Sequence, residues 1–166
     1  MCTESRAIVR YIAQKFASQG TPLLGETLEE EAIINQWVEV ESHHLNEPFK
    51  VLSMEYYLNY LIKNRPLDQE LVAEKTQKLE EVFDVLEAQL SKTKYLATNS
   101  YSMADLTCAP SLLRLMTIKP ELITSRKNVK AWYEKLSSRL AFKKMLEKDP
   151  EWNIRYGPFL EHDVLA

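Results

Sequence analysis

Glycine is scarce in this sequence: Gly20, Gly25 and Gly157 are the only three in 166 residues. So few leave little room for phosphate-cradling loops or a series of tight hairpins, and favour helices. Cysteine is scarcer still. Cys2 and Cys108 lie far apart, with no Cys-x-x-Cys or Cys/His spacing. That argues against a disulfide framework and a zinc site, and for a reducing, cytoplasmic setting. No cluster calls for a metal or an organic cofactor. Neither sign of charge dominates: 21 Lys and Arg against 24 Asp and Glu give a formal net charge of −3. Basic clusters such as Arg126-Lys127 are too short to track a nucleic acid or an anionic bilayer, so neither is expected as a partner. No apolar run reaches membrane-spanning length. Arg6, Arg10 and Gln14 interrupt the opening segment where a secretory leader needs an apolar core, so neither anchor nor leader is expected.

What the chain does have is helical periodicity. In "ESRAIVRYIAQKF", Ile8, Tyr11, Ile12 and Phe16 recur at i, i+3, i+4 and i+8, a stripe suited to burial. "SQGTPLLGET" (residues 18–27) reads as a linker, with two glycines around Pro22. A helix then opens at Leu28 with an acidic first turn, which suits the positive end of its dipole. Ile33, Trp37, Val40 and His44 fall on one face of it. Pro48 should kink or interrupt it, and "RPLD" (residues 65–68) should end its continuation. Residues 69–91 are the most regular segment, with Val72, Thr76, Leu79, Phe83, Leu86 and Leu90 in 3/4 spacing. Ser102 and Asp105 fit a capping box with Asp in place of the usual Glu or Gln, and Tyr101 and Leu106 suit a hydrophobic staple across it. Leu112, Leu113, Leu115 and Met116 surround the axis of the helix that follows. Val129, Trp132, Tyr133 and Leu136 mark one more amphipathic helix, and Ala141, Phe142 and Met145 a short last one. No segment alternates like a strand. The expected fold is all-α: one helix, a linker, then a bundle of about five or six.

Four segments in order, "ESRAIVRYIAQKF", "EAIINQWVEVESHH", "KLEEVFDVLEAQLSKTKYLA" and "YSMADLTCAP", together resemble a plant phi-class glutathione S-transferase. The likeness covers nearly the whole chain, but only part of the family's pattern. It implies that residues 1–19 correspond to the final helix of a thioredoxin-like domain, without its four strands and first two helices. Residues 20–27 would be the linker, 28–148 the helical C-terminal domain and 149–166 a tail. The apolar stripe of the first helix would then have to face the bundle, a partner chain or water. The sequence departs from the family pattern at Ala97-Thr98-Asn99, where a glycine turn is usual, and at Leu140, where proline is usual.

The family reaction is attack of the glutathione thiolate on a hydrophobic electrophile. The resemblance implies that Glu4 and Ser5 bind the γ-glutamyl end of glutathione, the co-substrate. A hydroxyl and a backbone N–H at a helix start suit a carboxylate, and Glu4 suits an ammonium group. The family's catalytic serine belongs to the segment this sequence does not contain. No catalytic residue is therefore expected, and the chain alone should have little or no activity. His43 and His44, with Phe49, Met54 and Tyr57, are expected to line a pocket for hydrophobic substrates. Neighbouring helical residues point about 100° apart, so the two histidines cannot share one site. Ser102 and Asp105 are read as structural. Cys108 is read as a buried, inert thiol, and Cys2 as exposed. A homodimer weaker than the family's, or a monomer prone to self-association, is expected. The alternative is a non-catalytic protein that binds ligands or partners through its helical domain, with Trp37, Tyr56, Tyr57 and Tyr60 forming an exposed aromatic patch.

Overall fold

The computed structural model describes residues 3–148, with residues 58–61 and 148 described by backbone alone. Cys2, the side chain of Tyr60 and the stretch from Asp149 onward lie outside the described part. The described chain is helical throughout and contains no strand. Its α-helices are α1 (Ser5–Lys15), α2 (Leu28–Val40), α3 (Asn46–Met54), α4 (Gln69–Leu90), α5 (Met103–Ile118), α6 (Glu121–Thr124), α7 (Lys127–Ser137) and α8 (Leu140–Lys148). Two π-helical segments, Glu41–Leu45 and Glu55–Ile62, flank α3. None of the described helices is long and apolar enough to cross a membrane.

Thr27 caps α2: its Oγ1 accepts from the Glu30 N–H at 3.2 Å, and Glu30 Oε2 accepts from the Glu26 N–H at 2.8 Å. Three consecutive acids, Glu29 to Glu31, occupy the positive end of the helix dipole. Asp68 does the same for α4, accepting from the Leu71 N–H at 3.1 Å. Pro48 sits in the first turn of α3. Having no N–H, it cannot donate to the carbonyl four residues back. The chain resolves this with the π-turn just before it, in which the Asn46 N–H reaches the Glu41 carbonyl, five residues back. The buried face runs through Ile34, Trp37, Val38, Glu41 and Leu45. Ile33 is 41% exposed and His44 is exposed, so the face expected from 3/4 spacing is not the one the bundle uses.

At the centre stands α5. Met103, Ala104, Cys108, Leu112, Leu115 and Ile118 are all buried, giving it contact on most sides. Helices α2, α3, α6 and α7 pack against it, and Leu79, Phe83 and Leu86 of α4 with Val129, Trp132 and Leu136 of α7 belong to the same core cluster. Trp37 and Tyr56 are also core residues, 7% and 4% exposed. They therefore do not contribute to an exposed aromatic patch. The stretch 20–27 is more than a spacer: Leu23 and Leu24 pack on the core, and the Leu23 carbonyl accepts from the Met103 N–H at 2.8 Å. Gly25 adopts φ +84°, and a Cβ there would meet Glu30 Cβ at 2.8 Å, so glycine lets the segment pass close to α2.

Candidate functional site

The first helix docks on the bundle by its charged side. Arg6 donates to Glu41 through both Nε (2.7 Å) and a terminal nitrogen (2.9 Å). Glu41 is almost wholly buried, whereas Arg6 is about a quarter exposed. The charge-assisted bond holds the Arg6 guanidinium above its ordinary pKa, with burial opposing. One turn on, Arg10 donates to Asn35 and pairs with Glu31 at 3.7 Å. Val9 packs on the core between them. The opposite face points outward: Ile8, Tyr11, Ile12 and Phe16 are 37, 55, 48 and 44% exposed. Of the three surfaces considered for this stripe, the bundle is not the one it meets. The arginines four residues apart carried the missed signal, since they mark a second face able to dock by hydrogen bonds.

Docking α1 this way presents its start to solvent. Glu4 is the N-cap residue, and its side chain makes no capping bond. Its backbone sits at φ 68°, ψ 113°, a conformation that non-glycine residues seldom adopt. Ser5 follows as the first helical residue, and both side chains are exposed. The Ile8 N–H closes the first turn onto the Glu4 carbonyl at 3.0 Å. The amides at the start of α1 lie ahead of that bond and have no intrahelical acceptor.

The five residues assigned to a hydrophobic pocket are spread along one stretch of chain. His43 is largely exposed and meets Glu39 at 3.2 Å. His44 and Met54 are exposed, while Phe49 and Tyr57 are half-buried. None of the five lines the cavity beside Leu106 and Met145 or the cleft beside Gly25 and Ser102. No group of three or more His, Cys, Asp or Glu among the described residues could hold a metal ion.

Asp105 lies fully buried at the start of α5 and accepts four hydrogen bonds. One oxygen accepts from the Ser102 N–H (2.9 Å) and Oγ–H (3.0 Å). The other accepts from the Leu96 N–H (3.0 Å) and from Trp132 Nε1–H (2.9 Å). Burial pushes its carboxyl above the usual value and these donors pull it back, with burial dominating. Asp105 thus ties the 91–102 loop, α5 and α7 together. The loop needs no glycine: Lys94 N–H donates to Asn99 Oδ1 (3.0 Å), Ser100 N–H donates to Thr98 Oγ1 (3.0 Å), and no residue there has positive φ. Cys108 is buried, and burial raises its thiol pKa far above the ordinary range, so it is no nucleophile.

The family model for the glutathione S-transferase C-terminal domain matches residues 49–139. Glutathione S-transferase F10 of Arabidopsis thaliana is 44% identical over 147 residues, which is 87% of this chain and 68% of that protein. Glutathione transferase F2 of Populus trichocarpa superposes with a TM-score of 0.84 at 33% identity, over 90% of this chain and 70% of that one. Maize glutathione S-transferase I, solved with an atrazine–glutathione conjugate, superposes with a TM-score of 0.78 at 33% identity, covering 89% and 70%. The chain belongs to the glutathione S-transferase family. Its relatives are plant phi-class members, and the matched region is their helical C-terminal domain.

Proposed function

We propose that this chain keeps a weak site for the γ-glutamyl end of glutathione at Glu4 and Ser5, and that residues 1–166 alone do not catalyse conjugation. One observation carries the reading: the unusual backbone of Glu4. Such a conformation costs roughly 1–3 kcal/mol and persists where a binding geometry needs it. At Glu4 it turns the chain into α1, with the Ser5 hydroxyl and N–H at the positive end of the helix. A carboxylate would accept from both, and the ammonium group would pair with Glu4. Two or three such bonds, less the cost of association, correspond to affinity on the order of millimolar or weaker.

A hydrophobic electrophile would be the second substrate in the family reaction, as the conjugate bound to the maize relative suggests. His43, His44, Phe49, Met54 and Tyr57 remain the residues proposed to meet it, in a reducing, cytoplasmic setting. The resemblance assigns the serine that stabilises the thiolate to a segment outside residues 1–166, and one such donor is typically worth 10²–10³ in rate. A second reading, association through α1 without catalysis, is favoured by the exposed stripe from Ile8 to Phe16. A dimer formed that way would be weak.

The test pairs a conjugation assay on a chromogenic aryl halide with an NMR titration of glutathione. The expected result is no rate above background, with amide shifts confined to the start of α1 and lost in Ser5→Ala. A glutathione-dependent rate abolished by Ser5→Ala would overturn the non-catalytic part. Shifts that survive Ser5→Ala would overturn the site.

A further inference from the structure

The first half of α5 and the corner between α7 and α8 enclose a cavity of about 220 Å³. Its walls are apolar and mostly aliphatic, built by Leu106 and Leu113 of α5, Leu136 of α7, and Phe142 and Met145 of α8. Met145 is 45% exposed, so this wall can be reached from solvent.

One charged side chain meets these walls. Arg139 sits between α7 and α8 and lines the cavity together with Tyr101. Its guanidinium lies 3.7 Å from the centre of the Tyr101 ring. A guanidinium stacked on an aromatic face still presents its N–H edge to a carboxylate. Among the described residues no acceptor takes that edge. Burial pushes the Tyr101 hydroxyl up to about 12, so near neutral pH it stays uncharged and leaves the arginine's charge uncompensated.

The walls also limit what can bind. Apart from Tyr101 and Arg139 no polar side chain lines the cavity. A ligand with several polar groups, glutathione included, would leave them unpaired there. A single anionic head on an apolar body meets both features. Room is sufficient, since an apolar cavity of about 150 Å³ already takes up benzene. Aliphatic walls suit a flexible alkyl chain. We infer that this cavity binds a medium-chain alkyl carboxylate, its chain between α5 and α8 and its carboxylate on Arg139. The inference is independent of the glutathione reading at Glu4 and Ser5 and of the residues proposed to meet the electrophile.

The test titrates octanoate, kept below its micelle concentration, into the ¹⁵N-labelled full chain, with 1-octanol and octyltrimethylammonium as comparison probes. Octanoate should shift amides within residues 106–113 and 139–145. The alcohol and the cation should bind about tenfold more weakly or worse, and Arg139→Gln should bring octanoate down to the level of 1-octanol. Should Arg139→Gln lose helix content by circular dichroism, Met145→Trp fills the cavity from a partly exposed position and should weaken octanoate binding by a similar factor. Equal binding of octanol and octanoate would overturn the inference, as would octanoate shifts confined to the α1 stripe. Absence of shifts at residues 106–113 would overturn it too. Dilution without any probe then tells whether a second copy fills the groove, by moving those amides, or another segment of the same chain, by leaving them in place.

Discussion

Asp105 is a fully buried acid on which several parts of the fold converge. Two backbone N–H groups, a hydroxyl and an indole N–H all point at one buried carboxylate. Asp105→Asn keeps the shape but replaces one acceptor with a donor that faces donors. Each buried group left unpaired costs about 1–3 kcal/mol, so the loss should be roughly 2–4 kcal/mol in urea unfolding. The pH dependence has a definite sign. The folded carboxyl stands above its ordinary pKa, so the folded chain takes this proton up more readily than the unfolded one. Its contribution to stability therefore rises as pH falls through the folded pKa toward the unfolded value near 3.9. The stability gap between the parent and Asp105→Asn should widen as pH is lowered from neutrality toward the unfolded value near 3.9. A narrowing gap would mean that the four donors outweigh burial.

At the scale of elements, helix starts are secured in two ways. Thr27 and Asp68 cap their own helices. The start of α7 is capped from another helix: Glu87 of α4 accepts from the Asn128 N–H at 2.9 Å, the Val129 N–H at 2.9 Å and the Asn128 side chain at 2.8 Å. The first position of α8 is held by Leu140, 67% exposed. Proline suits that position because its missing N–H has no helical partner there and its φ is already set. Leu140→Pro should stabilise the chain by about 0.4–1 kcal/mol, chiefly by restricting the unfolded state. That corresponds to about 1–4 °C in melting temperature, read by calorimetry. A lower melting temperature would mean that Arg139 cannot adopt the extended backbone a following proline requires.

For the molecule as a whole, the exposed stripe of α1 is the surface to watch. Ile8, Tyr11, Ile12 and Phe16 lie close together on a helix whose other face is pinned by Arg6 and Arg10. Apolar side chains clustered in water favour association. Sedimentation should show weak, concentration-dependent self-association that Ile12→Glu reduces. Because Ile12 is 48% exposed and away from the core, the same change should leave the unfolding free energy within about 0.5 kcal/mol. A tight dimer unaffected by Ile12→Glu would point to another face.

Much of the fold was legible in the sequence. Regular 3/4 spacing identified α4, and the Ser102 and Asp105 pair marked the start of α5, because both are properties of neighbouring turns. Pro48 announced an interruption for the same local reason. The four-residue α6 carried too little periodicity to register, and along α2 the bundle buries Ile34 rather than Ile33, two neighbours that local spacing alone did not separate. Of the candidate site, the sequence supplied the residue types at Glu4 and Ser5 but not the backbone conformation that makes them notable. Composition and local period determined that the chain is helical, where most helices run and how α5 begins. Tertiary structure alone decided that Arg6 meets Glu41, 35 residues away, that Trp132 and Leu96 complete the shell of Asp105, and that the apolar stripe of α1 faces outward. Periodicity specifies that a helix has two unlike faces, whereas the surface available to each is fixed only when the rest of the chain has packed.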